Sequence, residues 1–238
     1  MMNQERRFFV GILDIIFPKR CVGCGKIGKY ICASCKKLII PIAPNECICP
    51  MCEKRAIAGL THPKCQTRYS LDGLTSFFYY KDVVRQAIQT LKYRFVRDLA
   101  AEFVELVPFS AYEVRSVIGS PHALVTPIPL HATRLRYRGF NQSESLGRVV
   151  AESLRITLVP DILNRAVATL PQVHMQSKLL RRTNMRGVFR MNKTPRDIRH
   201  MIFLLFDDVF TTGATMREAG RVLKQRGARQ VWAVTMAR

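Results

Sequence analysis

In Leu204-Leu205-Phe206-Asp207-Asp208-Val209-Phe210-Thr211-Thr212-Gly213-Ala214-Thr215 an apolar run ends in two acids and a hydroxyl-rich turn with one glycine. Met201 to Phe206 has the unbroken hydrophobicity of a parallel strand covered on both faces, and Met216 to Lys224 places Met216, Ala219, Val222 and Leu223 at helical spacing. The stretch therefore reads as a buried strand delivering a ligand-binding loop to the start of a helix, beyond the carboxyl end of the strand. Thr211, Thr212, Gly213, Ala214 and Thr215 put backbone N–H groups and hydroxyls at a helix N-terminus, which suits a phosphate through hydrogen bonds and the helix dipole. Gly213 permits close approach of the backbone. Two carboxylates beside a phosphate repel it unless they meet something else. Asp207 and Asp208 are thus expected to accept hydrogen bonds from sugar hydroxyls or to hold a Mg²⁺ shared with the ligand. Together these residues describe a ribose 5-phosphate site.

Outward from that segment, strands and helices alternate. Leu74 to Tyr80, Ala123 to Ile128 and Val231 to Met236 read as strands, and Asp82 to Tyr93, Arg97 to Val107 and Ser143 to Leu154 as helices, so the expected fold is a doubly wound α/β sheet. Between the second strand and the helix at Ser143 lies a loop containing His131, Arg134, Arg136 and Arg138. At the ligand edge of a sheet, Arg134 and Arg138 suit a pyrophosphate clamp; the competing reading is a solvated basic surface. His131 reads as a hydrogen-bonded structural residue or a general base, without an adjacent carboxylate in the sequence to activate it.

The front of the chain differs. All eight cysteines lie between positions 21 and 65. Cys21-x-x-Cys24 with Cys32-x-x-Cys35 forms one ligand set, and Cys49-x-x-Cys52 with His62-x-x-Cys65 a second, each suited to a tetrahedral structural Zn²⁺. So few large apolar residues stand here that metal must supply the stability, about 10–16 kcal/mol for a structural site. Cys47 is left over and offers an alternative ligand beside Cys49. Disulfides are the competing reading, disfavoured because no secretion signal is evident. Domain boundaries are expected at residues 1–17 for a docking helix, 18–70 for a double zinc-ribbon domain and 71–238 for the sheet domain. Phe8, Ile12, Ile15 and Ile16 share one face of that first helix; the run is too short to span a bilayer, and no other transmembrane candidate stands out.

Charge narrows the partners. With 38 Lys and Arg against 17 Asp and Glu in 238 residues, a formal +21 calls for an acidic partner, either nucleic acid or a polyphosphate ligand. A hydrophobic content of 48% excludes a disordered chain. Lys178, Arg181, Arg182, Arg186 and Arg190 lie in a stretch without acids between Pro171 and Asn192. It reads as a hood closing over a sugar phosphate, as a track for a nucleic-acid backbone, or as a solvated basic helix.

The Asp207 to Thr215 loop resembles the binding motif for 5-phosphoribosyl 1-pyrophosphate (PRPP) of type I phosphoribosyltransferases, in which the acid pair contacts the ribose hydroxyls and the loop holds the 5-phosphate. With the cysteine knuckles, Phe17-Pro18, Leu91-Lys92-Tyr93, Pro127-Ile128-Pro129-Leu130, Arg138-Gly139-Phe140-Asn141-Gln142 and Asn184-Met185-Arg186-Gly187-Val188-Phe189, nearly the whole chain resembles the ComF family. The resemblance implies a zinc ribbon joined to a type I phosphoribosyltransferase-like sheet with flanking helices. It also implies Mg²⁺-dependent PRPP binding, a role in competence and DNA uptake with single-stranded DNA and a DNA helicase as partners, and a cytoplasmic location. Catalysis, a non-catalytic DNA-binding adaptor and a nucleotide-salvage transferase all remain open under it. Two departures stand out: His62 occupies a position usually held by Cys, and Phe95 replaces a glycine often found after Lys-Tyr-Arg.

Overall fold

A computed structural model describes residues 18–93, 96–108, 120–167, 186–192 and 197–238. Its central strand is β6 (Ile202–Val209), in which Phe203, Leu204, Leu205 and Phe206 are all buried. The other strands are β1 (Gly73–Phe78), β2 (Ala123–Pro127), β3 (Thr157–Leu158), β4 (Leu163–Arg165), β5 (Phe189–Met191) and β7 (Gln230–Ala237). Five of them form one sheet in the order β1-β7-β6-β2-β3, and every pairing in it is parallel. Leu204 pairs with Val125 on one side and Trp232 on the other. Such a strand needs apolar residues on both faces because helices cover both.

Those helices are α5 (Gln142–Leu154) and α6 (Ala214–Gln225). Phe203 and Leu205 join the core formed with Met216, Ala219 and Leu223 of α6. Phe206, of opposite parity along the strand, packs on α5, where a Cβ added at Gly147 would stand 3.2 Å from its ring. The α/β expectation is met. Strand order reverses between β2 and β6: β2 is followed by β3 on its outer side, and β6 by β7 on the other. The loops leaving β2 and β6 therefore flank the crevice where sheets of this kind bind ligands.

Several boundaries differ from the sequence reading. The arginine loop is largely a helix, α4 (Ala132–Arg138), closed by Gly139 at φ 76°. Helix α6 starts at Ala214, two residues earlier than expected, so Thr215 lies in its first turn. Of the helical pair α2 (Asp82–Tyr93) and α3 (Arg97–Val104), the second stops short of Val107.

By packing, the chain divides into two compact units, one of residues 1–40 with 81–106 and one of 41–80 with 107–238. In the first, the Cys21 to Cys35 knuckles and α1 (Ala33–Lys36) keep company with α2 and α3. Lys19 pairs with Asp98 at 2.5 Å, Glu102 accepts the Ile31 N–H at 3.0 Å, and Gly23 approaches the Cys35 sulfur and Val83 too closely for a side chain. In the second, the Cys49 to Cys65 knuckles are fastened to the sheet. Leu60 bridges Gly73, the Thr61 N–H and hydroxyl donate to the Asp72 and Leu71 carbonyls, and Arg238 donates to the Glu46 carbonyl at 2.6 Å. Composition pointed to a boundary near Arg68 to Asp72; packing assigns the two cysteine sets to different units.

Candidate functional site

Asp207 and Asp208 are the third- and second-last residues of β6, and both meet the start of α5. The Ser143 hydroxyl donates to Asp207 Oδ1 at 2.6 Å, and the Asp208 N–H donates to the same oxygen at 2.9 Å. Gln142 Nε2 donates to Asp208 Oδ2 at 3.4 Å, while Arg138 Nη1 donates to Gln142 Oε1 at 2.8 Å. Asp208 is buried and Asp207 is half-buried. This wiring depends on Asn141, which caps α5 by accepting from the Ser143 N–H at 3.1 Å and ties that cap to β2 by donating to the Ile128 carbonyl at 3.0 Å. Gln142 and Ser143 were missed as site residues. Their signal was two polar side chains directly after an Asn cap, at positions that α5 nonetheless buries.

Beyond Val209 the chain turns through Phe210 to Gly213 into α6. Gly213 adopts φ 67°, and a Cβ there would stand 2.4 Å from the Phe210 ring, so only glycine fits. The Thr212 hydroxyl is buried and has no hydrogen-bond partner among the described residues. A buried hydroxyl without a partner is costly, which makes it a ready donor for an anion seated on the loop. The N-terminus of α6 follows directly, and its dipole favours an anion there.

Three guanidinium groups share this region. Arg134 and Arg138 stand on α4; burial and then the Arg138 charge lower the Arg134 pKa. Arg165 comes from β4 and is 7% exposed, its guanidinium 5.6 Å from the centre of the Phe189 ring. Burial first and then Arg134 lower its pKa, while Asp207 opposes them. Cations gathered in this way are relieved by an anion among them. Sequence reasoning missed Arg165, because one arginine in a three-residue strand has no pattern around it. His131 caps α4, its Nδ1 accepting from the Thr133 N–H at 3.3 Å, which fits the structural reading.

Both proposed metal-ligand sets are assembled. Cys21, Cys24, Cys32 and Cys35 bring their ligand atoms within 4.8 Å of one another, and so do Cys49, Cys52, His62 and Cys65. Sulfurs sharing one Zn²⁺ at ~2.3 Å bonds stand about 3.8 Å apart. Cys24 and Cys32 are at 3.6 Å, and all eight cysteines are free thiols, which removes the disulfide reading. His62 Nε2 lies 2.8 Å from the Arg55 carbonyl, and its Nδ1 3.2 Å from Cys52 Sγ. A proton on Nε2 leaves Nδ1 as the ligand atom, the usual arrangement of a metal-bound histidine.

The knuckle turns match. The Gly25 N–H donates to the Cys21 carbonyl at 2.8 Å with φ 76°, and the Glu53 N–H donates to the Cys49 carbonyl at 2.9 Å with φ 64°. Burial opposes ionisation of Cys21, yet the N–H groups of Cys32, Cys24 and Gly23 pull its thiol down to about 6. Cys49 behaves alike: burial is outweighed by N–H groups of His62, Cys52 and Met51, which pull it down to about 7. Burial and the surrounding thiols push Cys35 up to about 12 and Cys65 up to about 11. Each set thus holds a thiol predisposed to ionise beside one that needs a cation to do so. Cys47 belongs to neither set; it is buried with Ile42, Ile48 and Leu74, and burial raises its pKa.

No family model matches the sequence. Individual proteins do. The chain is 29% identical over 208 residues to the DNA utilization protein YhgH of Escherichia coli, covering 85% of this chain and 88% of that protein. It is 25% identical over 218 residues to Competence protein ComFC of Bacillus subtilis, covering 85% and 81%, and 31% identical over 119 residues to Competence protein F of Haemophilus influenzae, covering 49% and 51%. These relatives support the resemblance to the ComF family that the sequence motifs carry.

In this chain the basic segment divides. Arg186 and Arg190 are exposed, whereas Lys178, Arg181 and Arg182 lie outside the described residues, as do the docking helix at 1–17 and Phe95. The near end of that segment is anchored: the Gly187 N–H donates to Glu218 Oε1 on α6 at 2.7 Å. Glu218 is itself buried and also paired with Arg221 at 2.7 Å. No helix among the described residues is long and apolar enough to cross a membrane.

Proposed function

We propose that this chain is a Mg²⁺-dependent PRPP-binding protein of phosphoribosyltransferase type, associated with competence and DNA uptake, that binds single-stranded DNA. The observation that carries the first part is the acid pair at the end of β6, opening into the Thr211 to Thr215 loop beside the reversal of strand order. Asp207 and Asp208, held by Ser143 and Gln142, orient the ribose through its hydroxyls. The loop N–H groups and the Thr212 hydroxyl receive the 5-phosphate. Arg134 and Arg138, joined by Arg165, face the pyrophosphate, whose departure they assist electrostatically if the chain is catalytic. Asp207 and Asp208 would also hold a Mg²⁺ arriving with PRPP, which would supply charge neutralisation at the leaving group.

The DNA part rests on the formal +21 and on relatives named for competence and DNA utilization. Domains at 18–70 and 71–238, a cytoplasmic location and a DNA helicase partner belong to the same proposal. Calorimetric titration of PRPP with Mg²⁺ into the zinc-loaded protein tests it, beside an Asp207→Asn/Asp208→Asn double variant of matched fold. Binding to the native protein that disappears in the variant supports the site. No binding to the native protein refutes the PRPP reading and leaves the non-catalytic adaptor, whose DNA affinity falls steeply with salt and ignores Asp208→Asn. The high charge specifically favours that second reading.

A further inference from the structure

Arg217 stands in the first turn of α6, its N–H donating to the Gly213 carbonyl at 2.9 Å. Its guanidinium donates three ways: Nη1 to the Thr212 carbonyl at 2.9 Å, Nε to the Pro50 carbonyl at 2.6 Å, and Nη2 to Glu53 Oε1 at 3.1 Å. The side chain is 14% exposed, so these bonds form largely out of water. Thr212 belongs to the loop before α6. Pro50 lies between the ligand positions Cys49 and Cys52, and Glu53 follows Cys52 at φ 64°. One planar fork therefore spans the phosphate loop and the second metal knuckle.

We infer that Arg217 is a positioning residue that couples metal occupancy of the Cys49, Cys52, His62 and Cys65 set to the anion-binding geometry of the Thr211 to Thr215 loop. The coupling rests on the reading of that loop as a phosphate site. In a trans peptide the carbonyl and the following N–H point in opposite directions. Holding the Thr212 carbonyl toward the knuckle therefore aims the Gly213 N–H away from it. The Thr212–Gly213 peptide is the soft point of the loop, since glycine tolerates either orientation of the plane. Arg217 removes that freedom.

The fork stays in place only while its far acceptors do. A cysteine knuckle has no core of its own, so without metal the turn through Pro50 and Glu53 loosens. A largely buried guanidinium that loses two acceptors is strongly disfavoured and must move, and the Thr212 carbonyl moves with it. The carbonyl acceptors and the flat fork make the geometry specific to arginine. Lysine keeps the charge but presents one nitrogen and cannot reach three acceptors in those directions. By linkage, an anion on the loop strengthens zinc binding at the second set by the same factor that zinc strengthens the anion.

The test is amide hydrogen exchange across Phe210 to Met216 in the full chain, zinc-loaded and chelator-stripped, for the native protein and for Arg217→Met, Arg217→Lys and Glu53→Ala. Zinc content is measured in each. In the native protein stripping is expected to speed exchange in the loop. Arg217→Met and Arg217→Lys, still carrying two zinc ions, are expected to exchange fast already and to change little on stripping; Glu53→Ala falls between. PRPP or, failing that, inorganic phosphate is expected to bind about tenfold more weakly to zinc-loaded Arg217→Lys than to the native protein. Native-like loop exchange in zinc-loaded Arg217→Lys overturns the inference, as does a native loop indifferent to stripping. If Arg217→Met fails to fold, Glu53→Ala and the native comparison still decide. If the native protein binds neither anion, the PRPP reading fails while the exchange data still judge the strut.

Discussion

Replacing Gly213 by alanine tests the loop geometry directly, because a second glycine serves as its control. Gly213 and Gly139 both hold left-handed backbone, at φ 67° and φ 76°. Alanine in that conformation costs about 1–2 kcal/mol at either position. The surroundings differ: a Cβ at Gly139 meets nothing within 4 Å, whereas at Gly213 it would stand 2.4 and 2.9 Å from Phe210 ring carbons and 3.0 Å from Arg217 Nη2. Phe210 is 4% exposed and cannot swing aside, so overpacking adds about 1–3 kcal/mol. Gly139→Ala should therefore lose about 1–2 kcal/mol and Gly213→Ala about 2–5 kcal/mol in urea unfolding at unchanged slope. If half of the larger cost appears as loop displacement, PRPP affinity falls roughly tenfold or more in Gly213→Ala. Equal losses for the two variants, or a Gly213→Ala protein with native stability and anion binding, would refute the close packing behind the loop.

Zinc stoichiometry separates the eight cysteines. Cys47→Ala should retain two zinc ions per chain and lose only packing, whereas Cys65→Ser should retain one; a lost ion in Cys47→Ala would show that it is a ligand. Arg165→Met should weaken PRPP binding more than it weakens the fold, since it removes a buried cation beside Arg134 and facing Asp207; calorimetry and thermal unfolding on one sample compare the two effects, and unaltered binding would remove Arg165 from the site. In the zinc-stripped protein the depressed pKa values of Cys21 and Cys49 set the sign of the pH dependence. Their stability contribution is complete above the ordinary thiol value of 9.0 and is lost as pH falls through about 7 for Cys49 and about 6 for Cys21. The unfolding midpoint of the stripped protein should decline across that window, and a flat midpoint would contradict the N–H arrangement around the two sulfurs.

Sequence alone was most informative where one physical requirement dominated. Continuous burial on two faces makes β6 legible, and the acids at its end and the hydroxyls that follow have no packing role to explain them. The two ligand sets were legible because tetrahedral chemistry imposes the x-x spacing. Helix α4 was not, since none of its residues is fully buried and such a helix carries no apolar period. Arg165 was hidden for a different reason. Its setting is created by β4 pairing with β5, where Arg165 faces Phe189 across 23 intervening residues, and no local pattern records such a contact. Ser143 and Gln142 read as ordinary first-turn residues until β6 brings Asp207 and Asp208 to them. Arg217 was unreadable as anything but a helix surface charge, because two of its three acceptors, on Pro50 and Glu53, come from the far end of the sequence.

The two cysteine sets are near twins in spacing, yet packing separates them, one with the α2 and α3 pair and the other with the parallel sheet. A chelator should accordingly meet two independent reservoirs rather than one cooperative cluster. Metal release would then run in two phases, and a chain that has surrendered only the ion of the Cys21 to Cys35 set would keep its sheet, its acid pair and its glycine turn. Metal supply could in this way grade the protein through a half-loaded form instead of switching it between folded and unfolded.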